Sequence, residues 1–64
     1  MLDNNTYNLM VQLVEENQSL WRIKKMYKKD AENCEECREF WQRLEKEKED
    51  RIDEFEKLIQ NHLK

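Results

Sequence analysis

Glycine and proline are both absent from the 64 residues of this chain. Because these two residues supply most helix breaks and tight turns, their absence favours long helices over many short elements. Charged residues make up 42% of the composition, which is typical either of disorder or of long helices with one apolar stripe. Two tryptophans, two tyrosines and two phenylalanines, together with regular apolar spacing, favour the helical alternative.

Apolar residues recur at helical spacing in two separate runs. Spacings of three, four and seven residues bring side chains onto one face of an α-helix. The first run consists of Leu9, Leu13, Leu20, Ile23 and Tyr27. The second run consists of Cys37, Phe40, Trp41, Leu44, Ile52, Phe55, Leu58, Ile59 and His62. Each run predicts one amphipathic helix.

The segment between the two runs has the charge pattern of a helix end followed by a helix start. Lys28 and Lys29 suit the negative end of a helix dipole. Asn33, with Glu36 three residues later, resembles a capping box at the start of the next helix. The sequence therefore predicts a break between these two pairs of residues.

We predict a helix over about 4–30, a turn at about 30–33 and a second helix over about 34–62, with Asp3 as the cap of the first helix. A single unbroken helix in a long coiled coil is the alternative, because no glycine or proline marks the turn. The hairpin is favoured because two helices of about 40 Å each can cover each other's apolar stripes.

The length of the chain predicts that residues 1–64 form one small domain. A domain of this size buries only about 60% of its unfolded surface, so small folds often gain stability by oligomerisation. We expect an all-α fold, a two-helix antiparallel hairpin that dimerises into a four-helix bundle. The dimer interface is expected at apolar residues beside the seam, which is the contact line between the two helices: Met10, Val14, Trp21, Phe40, Ile52 and Ile59.

Folding the chain about residue 32 sets opposite each other residues whose numbers sum to about 64. The charged middle of the seam then has Glu16 opposite Lys48, with Arg51 nearby. A charge on a buried stripe is costly unless it is paired or binds something. On either side of this layer the register aligns apolar pairs: Leu9 with Phe55, Leu20 with Leu44, Ile23 with Trp41, and Tyr27 with Cys37.

This pattern resembles half of a ferritin-like or rubrerythrin-like bundle. In that family a hairpin carries an inward glutamate on its first helix and Glu-x-x-His on its second, and two hairpins enclose two metal ions. Here residues 13–17 can supply Glu16 as the inward glutamate, and the stretch 40–52 has Lys48 and Arg51 at the two ligand positions. The resemblance implies the hairpin and the dimer, and we expect an ion pair among Glu16, Lys48 and Arg51 in place of metal. The alternative is that Glu16 and Lys48 extend from the edge of the seam into solvent.

Cys34 and Cys37 form a C-x-x-C sequence at the expected start of the second helix. A helix start lowers a thiol pKa, as redox sites require, although the two intervening glutamates disfavour the thiolate. Zinc needs four ligands as a rule, and one chain offers two cysteines, so a zinc site would need two chains that meet end to end. The third possibility is that the cysteines form a small apolar layer at the turn. One alternative function is therefore a degenerate ferritin-like metal or redox protein that uses Glu15 or Glu16 with the two cysteines.

Residues 21–29, Trp-Arg-Ile-Lys-Lys-Met-Tyr-Lys-Lys, combine basic and aromatic side chains in the manner of a nucleic-acid-binding helix. The net charge of the whole chain is −3, which disfavours this second alternative, a small nucleic-acid-binding regulator. Acidic residues of the second helix, including Glu36 and Glu39, are expected at a similar distance from the turn. They favour the interpretation that residues 21–29 form a solvent-exposed face whose charges are paired.

The sequence has no Ser-His-Asp set, glycine-rich loop or cleft of paired carboxylates, which favours a non-enzymatic protein without a cofactor. The single histidine, His62, suits a helix end and lacks expected partners. No apolar run is long enough for a membrane span or a signal sequence, which favours a cytoplasmic location. The leading hypothesis is a small helical structural or interaction module that forms a homodimer or binds another protein.

Overall fold

The structure is a computed structural model that describes residues 3–63, and these residues form helices without any strand. Helix α1 spans Asn4–Arg22, a π-helical turn spans Ile23–Tyr27, and helix α2 spans Lys28–Asp30. Residues 31–33 form a turn, and helix α3 spans Glu35–His62. The all-helical fold class is confirmed, and the chain turns back where the charge pattern predicted a break. A single unbroken helix is wrong.

Each long helix begins at a residue whose side chain accepts a backbone hydrogen bond. Asp3 Oδ1 accepts from the N–H of Thr6 at 2.7 Å, as expected for a cap. At the start of α3 the cap is Cys34, whose extended backbone places Sγ 3.3 Å from the N–H of Cys37. The predicted cap at Asn33 is therefore wrong by one residue, because the turn extends through Asn33.

The first arm of the hairpin, residues 4–30, contains a π-helical turn that the periodicity did not predict. The N–H of Lys28 bonds the carbonyl oxygen of Ile23, five residues earlier. At the end of this wider turn two consecutive residues contact α3: the Tyr27 ring packs on Trp41, and Lys28 pairs with Glu45.

The two arms lie antiparallel and form a rod of 48 × 15 × 13 Å. Its core within the described residues is small, with Ile23, Ile52 and Ile59 as the buried apolar side chains and Thr6 as the buried polar one. Ile52 and Ile59 were expected at the dimer interface. Both are only 8% exposed and pack within the hairpin, which leaves little of either side chain for contact with a second copy.

The predicted register holds at the middle of the hairpin and changes near the turn. Lys48 contacts Glu16, as the register requires. Near the turn Tyr27 packs its ring on Trp41 with centroids 5.0 Å apart, whereas the register had set Cys37 opposite Tyr27. The π-helical turn contributes to this shift, because it adds a residue to the first arm on the turn side of the Glu16–Lys48 pair.

Candidate functional site

The charged layer in the seam consists of Glu16, Gln12 and Lys48. Lys48 Nζ lies 2.7 Å from Glu16 Oε2, and the two side chains are 22% and 18% exposed. Gln12 Nε2 donates to the other carboxylate oxygen of Glu16 at 3.1 Å. Both oxygens of one partly buried carboxylate are therefore bonded, one across the hairpin and one along α1.

These contacts hold Glu16 in its ionised form. The hydrogen bond from Lys48 lowers the pKa of Glu16 below its ordinary value of 4.5, against an opposing effect of burial. The hydrogen bond from Gln12 and the charges of Lys48 and Arg51 act in the same direction as the first bond. At neutral pH the layer is thus a carboxylate–ammonium pair, and Glu16 is not a proton donor.

Arg51 lies beside this layer and takes part through its charge. Its Nη1 bonds Glu54 Oε1 at 3.1 Å on the same helix. Of the partners expected for Glu16, Lys48 makes the direct contact. Glu16, Lys48 and Arg51, with Leu44 and Glu47, line a shallow cleft of about 170 Å³.

The chemistry of this layer does not fit the pair of metal ions that the ferritin-like resemblance would bring. The position of a second-helix ligand is an ammonium group bonded to Glu16, and a cation there opposes binding of another cation. Within residues 3–63 no three side chains of His, Cys, Asp or Glu are grouped closely enough to hold a metal ion. The layer can hold charge and fix alignment, and it has no visible means of supporting metal chemistry.

The basic segment 21–29 contacts acidic residues of α3 through two of its lysines. Lys24 Nζ lies 3.3 Å from Glu49 Oε2, and Lys28 Nζ lies 2.9 Å from Glu45 Oε1. The acidic partners were expected nearer the turn, and the observed ones lie farther along α3. In these two pairs the lysine side chains contact carboxylates of α3, so less of the segment's positive charge is available to an external ligand.

Cys34 and Cys37 lie at the start of α3 and both are exposed as free thiols. A hydrogen bond from the Cys37 side chain lowers the pKa of Cys34, and the backbone N–H groups of Cys37 and Glu36 and the charge of Arg38 reinforce this. The same thiol–thiol contact raises the pKa of Cys37, as does the charge of Glu36. The expected disfavouring of thiolate therefore applies to Cys37, through Glu36, while the pKa of Cys34 is lowered.

The two cysteines share a cleft of about 300 Å³ with residues of the first arm. Tyr27 and Trp41 form one wall, with their rings inclined at 41° to each other. Asp30 and Ala31 complete the lining. Because both thiols are exposed, the predicted small apolar layer at the turn does not include a buried Cys37.

The structure does not bring Glu15 or Glu16 together with the two cysteines. Glu16 is bonded to Lys48 at the middle of the hairpin, and Glu15 is exposed beside it. Both glutamates lie roughly 20 Å along the first arm from the turn, by the rise per residue of a helix. The hairpin therefore separates the charged layer from the two thiols.

A second apolar stripe on α1 faces away from α3. Its members recur at spacings of four, three and seven residues, and they lie about 150° around the helix axis from the seam residues of α1. They are Tyr7, Val11, Val14 and Trp21, exposed by 59%, 43%, 56% and 56%. We call these four residues the outer stripe. Among the other residues expected at the dimer interface, Phe40 is exposed and Met10 is half-buried.

Sequence reasoning missed three features of the described residues. The π-helical turn was not predicted, and of the outer stripe only Val14 and Trp21 were expected at an interface, although the spacing of all four residues is readable in the sequence. The third is at the open end of the hairpin, where the charge of His62 contributes to lowering the pKa of Asp3. The cap hydrogen bond from Thr6 is the main cause of that shift. His62 therefore has an acidic neighbour that the register did not predict.

Comparisons with family models, curated proteins and solved structures give no match for this chain. Within residues 3–63 no helix has the length and apolar content needed to cross a membrane. We therefore infer function from the contacts and surfaces of the chain itself.

Proposed function

We propose that this chain is a helical assembly module whose working form is a homodimer of hairpins. The observation that carries the proposal is the imbalance between its core and its surface. Three isoleucines are the buried apolar side chains of the described residues, while the outer stripe exposes four large apolar side chains on one face. Exposed apolar residues that are contiguous on one helix face are typical of interaction sites.

The outer stripe suits a second copy of the same chain because it carries no charge. Gln18 fills the remaining position of the stripe between Val14 and Trp21, so the face consists of neutral side chains. Two identical faces can meet around a two-fold axis only if they do not repel each other. The chain has a net charge of −3, so two copies repel each other in general, but repulsion between like charges does not oppose contact through a neutral apolar face.

An antiparallel arrangement of the two α1 helices is favoured by their end charges. The start of α1 has Asp3 and no lysine or arginine near it in the sequence, whereas its end has Arg22 followed by Lys24 and Lys25. Antiparallel pairing sets the acidic end of one copy beside the basic end of the other and also opposes the helix dipoles. Parallel pairing would set the basic ends together.

The size of the proposed interface is compatible with the size of the chain. A stable protein interface buries about 800 Å² on each partner, and the described part of this chain exposes 5284 Å². Because the outer stripe lies about 150° from the seam, two hairpins joined there would set their four helices nearer to a layer than to a square bundle. Phe40 would then stay outside the main contact.

Sedimentation equilibrium of the full chain across micromolar concentrations tests the proposal. We expect a dimer mass, and we expect Val14→Asp to weaken the dimer by about a hundredfold or more, because it buries an unpaired charge in an apolar contact. Gln42→Asp on α3 is the matched control, since it adds the same charge to an exposed position outside the stripe. A monomeric wild type, or equal dimer affinity in the two variants, would overturn the proposal.

A further inference from the structure

The two cysteines at the turn stand apart from the assembly surface and form a pair of nucleophilic groups. They occupy the cap and the third position of a helix of 28 residues, one helical turn apart. Cys34 Sγ accepts the N–H of Cys37 at 3.3 Å, and the two cysteines line the same cleft. Both side chains are exposed, so a reagent in solution can reach either sulfur.

We propose that Cys34 and Cys37 form a thiol–disulfide exchange site that reacts with small-molecule disulfides of the glutathione class. The inference goes beyond the proposed homodimer and does not depend on it, because the outer stripe and the turn are different parts of the hairpin.

The two thiols have different environments, which assigns their order of reaction. Cys34 has donors on its sulfur from the Cys37 backbone and side chain and lies near the positive charge of Arg38. These contacts favour the thiolate, which is the attacking form of a cysteine. Cys37 has Glu36 as a negative neighbour, so it is the less acidic thiol and attacks second.

The reaction balances with one external disulfide. The Cys34 thiolate attacks one sulfur of the disulfide, whose S–S bond breaks and releases one thiolate, leaving a mixed disulfide on Cys34. Cys37 then gives up its proton and attacks the Cys34 sulfur, which releases the second external thiolate. The two cysteines are oxidised to an intramolecular disulfide, and the external disulfide is reduced to two thiols that take up the two protons.

The cleft beside the cysteines gives the external disulfide a place to lie. Tyr27 and Trp41 line it together with the two cysteines, and sulfur makes favourable contacts with aromatic rings. Asp30 lies at the same cleft, so the ammonium group of a glutathione-like molecule has an acidic neighbour there.

The test treats the reduced full chain with oxidised glutathione and follows the intact mass after thiol alkylation. In the wild type we expect an intramolecular disulfide, with loss of both alkylation sites. Cys37→Ser is expected to stop at a mixed disulfide with one glutathione on Cys34. Cys34→Ser is expected to react about tenfold or more slowly, because the remaining thiol lacks the groups that favour its thiolate. Serine also caps helices well, so this variant should keep the fold, which far-ultraviolet circular dichroism checks.

Three results would overturn the inference. The first is equal reaction rates for the two single variants. The second is a wild type that accumulates mixed disulfides and forms no intramolecular bond. The third is a disulfide between two chains, visible as a covalent dimer without reductant. Val14→Asp should exchange at the wild-type rate, so a failure of the dimer proposal would leave this result intact.

Discussion

At the scale of single residues, Glu16 is a charged residue that lies in the seam between the two helices. Its two oxygens are bonded by Lys48 and Gln12, and its side chain is 18% exposed. A fully buried ion pair that loses one partner costs about 3–5 kcal/mol. The remaining exposure here allows Lys48 to keep part of its hydration, so the cost of losing Glu16 is expected to be smaller.

Glu16→Gln is expected to lower the free energy of unfolding by about 1–2 kcal/mol at neutral pH. The native pKa of Glu16 is lowered by its bond from Lys48, so its contribution is fully present above the ordinary value of 4.5 and is lost as the pH falls through the native pKa. Urea denaturation of wild type and variant between pH 7 and pH 2 measures this. Glu47→Gln, in the same cleft but exposed, is the control. A wild-type advantage that persists at pH 2 would contradict the argument.

At the scale of elements, the π-helical turn carries the most deeply buried apolar side chain of the described residues. Ile23 begins this turn and is 1% exposed, whereas Met26 lies in the same turn and is 46% exposed. A π turn accommodates an additional residue within a helix, and here it accompanies the packing of Tyr27 on Trp41. The stability of the hairpin near the turn is therefore expected to depend on Ile23.

Ile23→Ala is expected to destabilise the hairpin by about 2–4 kcal/mol, because it leaves a cavity in a core with few other members. Met26→Ala in the same turn is expected to cost less than about 1 kcal/mol. Far-ultraviolet circular dichroism with urea titration distinguishes the two. Similar losses in both variants would show that the turn is not anchored through Ile23.

The register between α1 and α3 is also a property of elements, and we expect the Glu16–Lys48 pair to set it. Lys48→Leu removes the charge that specifies the alignment and adds apolar surface to the seam, so more than one oligomeric form is expected. Native mass spectrometry measures the distribution. Lys46→Leu is the control, because Lys46 pairs with Asp50 on the outside of α3. A single form for both variants, identical to the wild type, would remove the register role.

At the scale of the whole molecule, the hairpin is a thin rod with few buried side chains. Its shortest dimensions are 15 and 13 Å, so almost every residue has one side in solvent. A small fold of this kind is expected to draw part of its stability from association. Stability and oligomeric state should then change together.

The melting temperature of the wild type is expected to rise by about 2–5 °C for each tenfold increase in protein concentration, because association stabilises the folded form by mass action. Val14→Asp should show no such dependence. Thermal melts followed by circular dichroism from 2 to 200 μM (roughly the usual range for association measurements) provide the measurement. A melting temperature that is independent of concentration in the wild type would show that the hairpin is stable alone.

The sequence by itself determined the features that depend on local backbone geometry. Helical spacing and the absence of glycine and proline predicted two helices, the charges about residues 28–36 predicted the turn, and simple level matching set Glu16 opposite Lys48. These follow because an α-helix advances by a fixed rise and angle per residue, so positions along each arm can be calculated without its partner.

The tertiary structure alone decided how each helix is rotated toward the other. It placed Ile52 and Ile59 inside the hairpin and left the outer stripe of α1 exposed. It also set Cys34 as the cap of α3 and widened the first arm between Ile23 and Tyr27. These features depend on which of several apolar faces packs best against the partner helix. Which face packs best depends on the sum of many contacts across the seam, and the periodicity of one helix does not predict that sum.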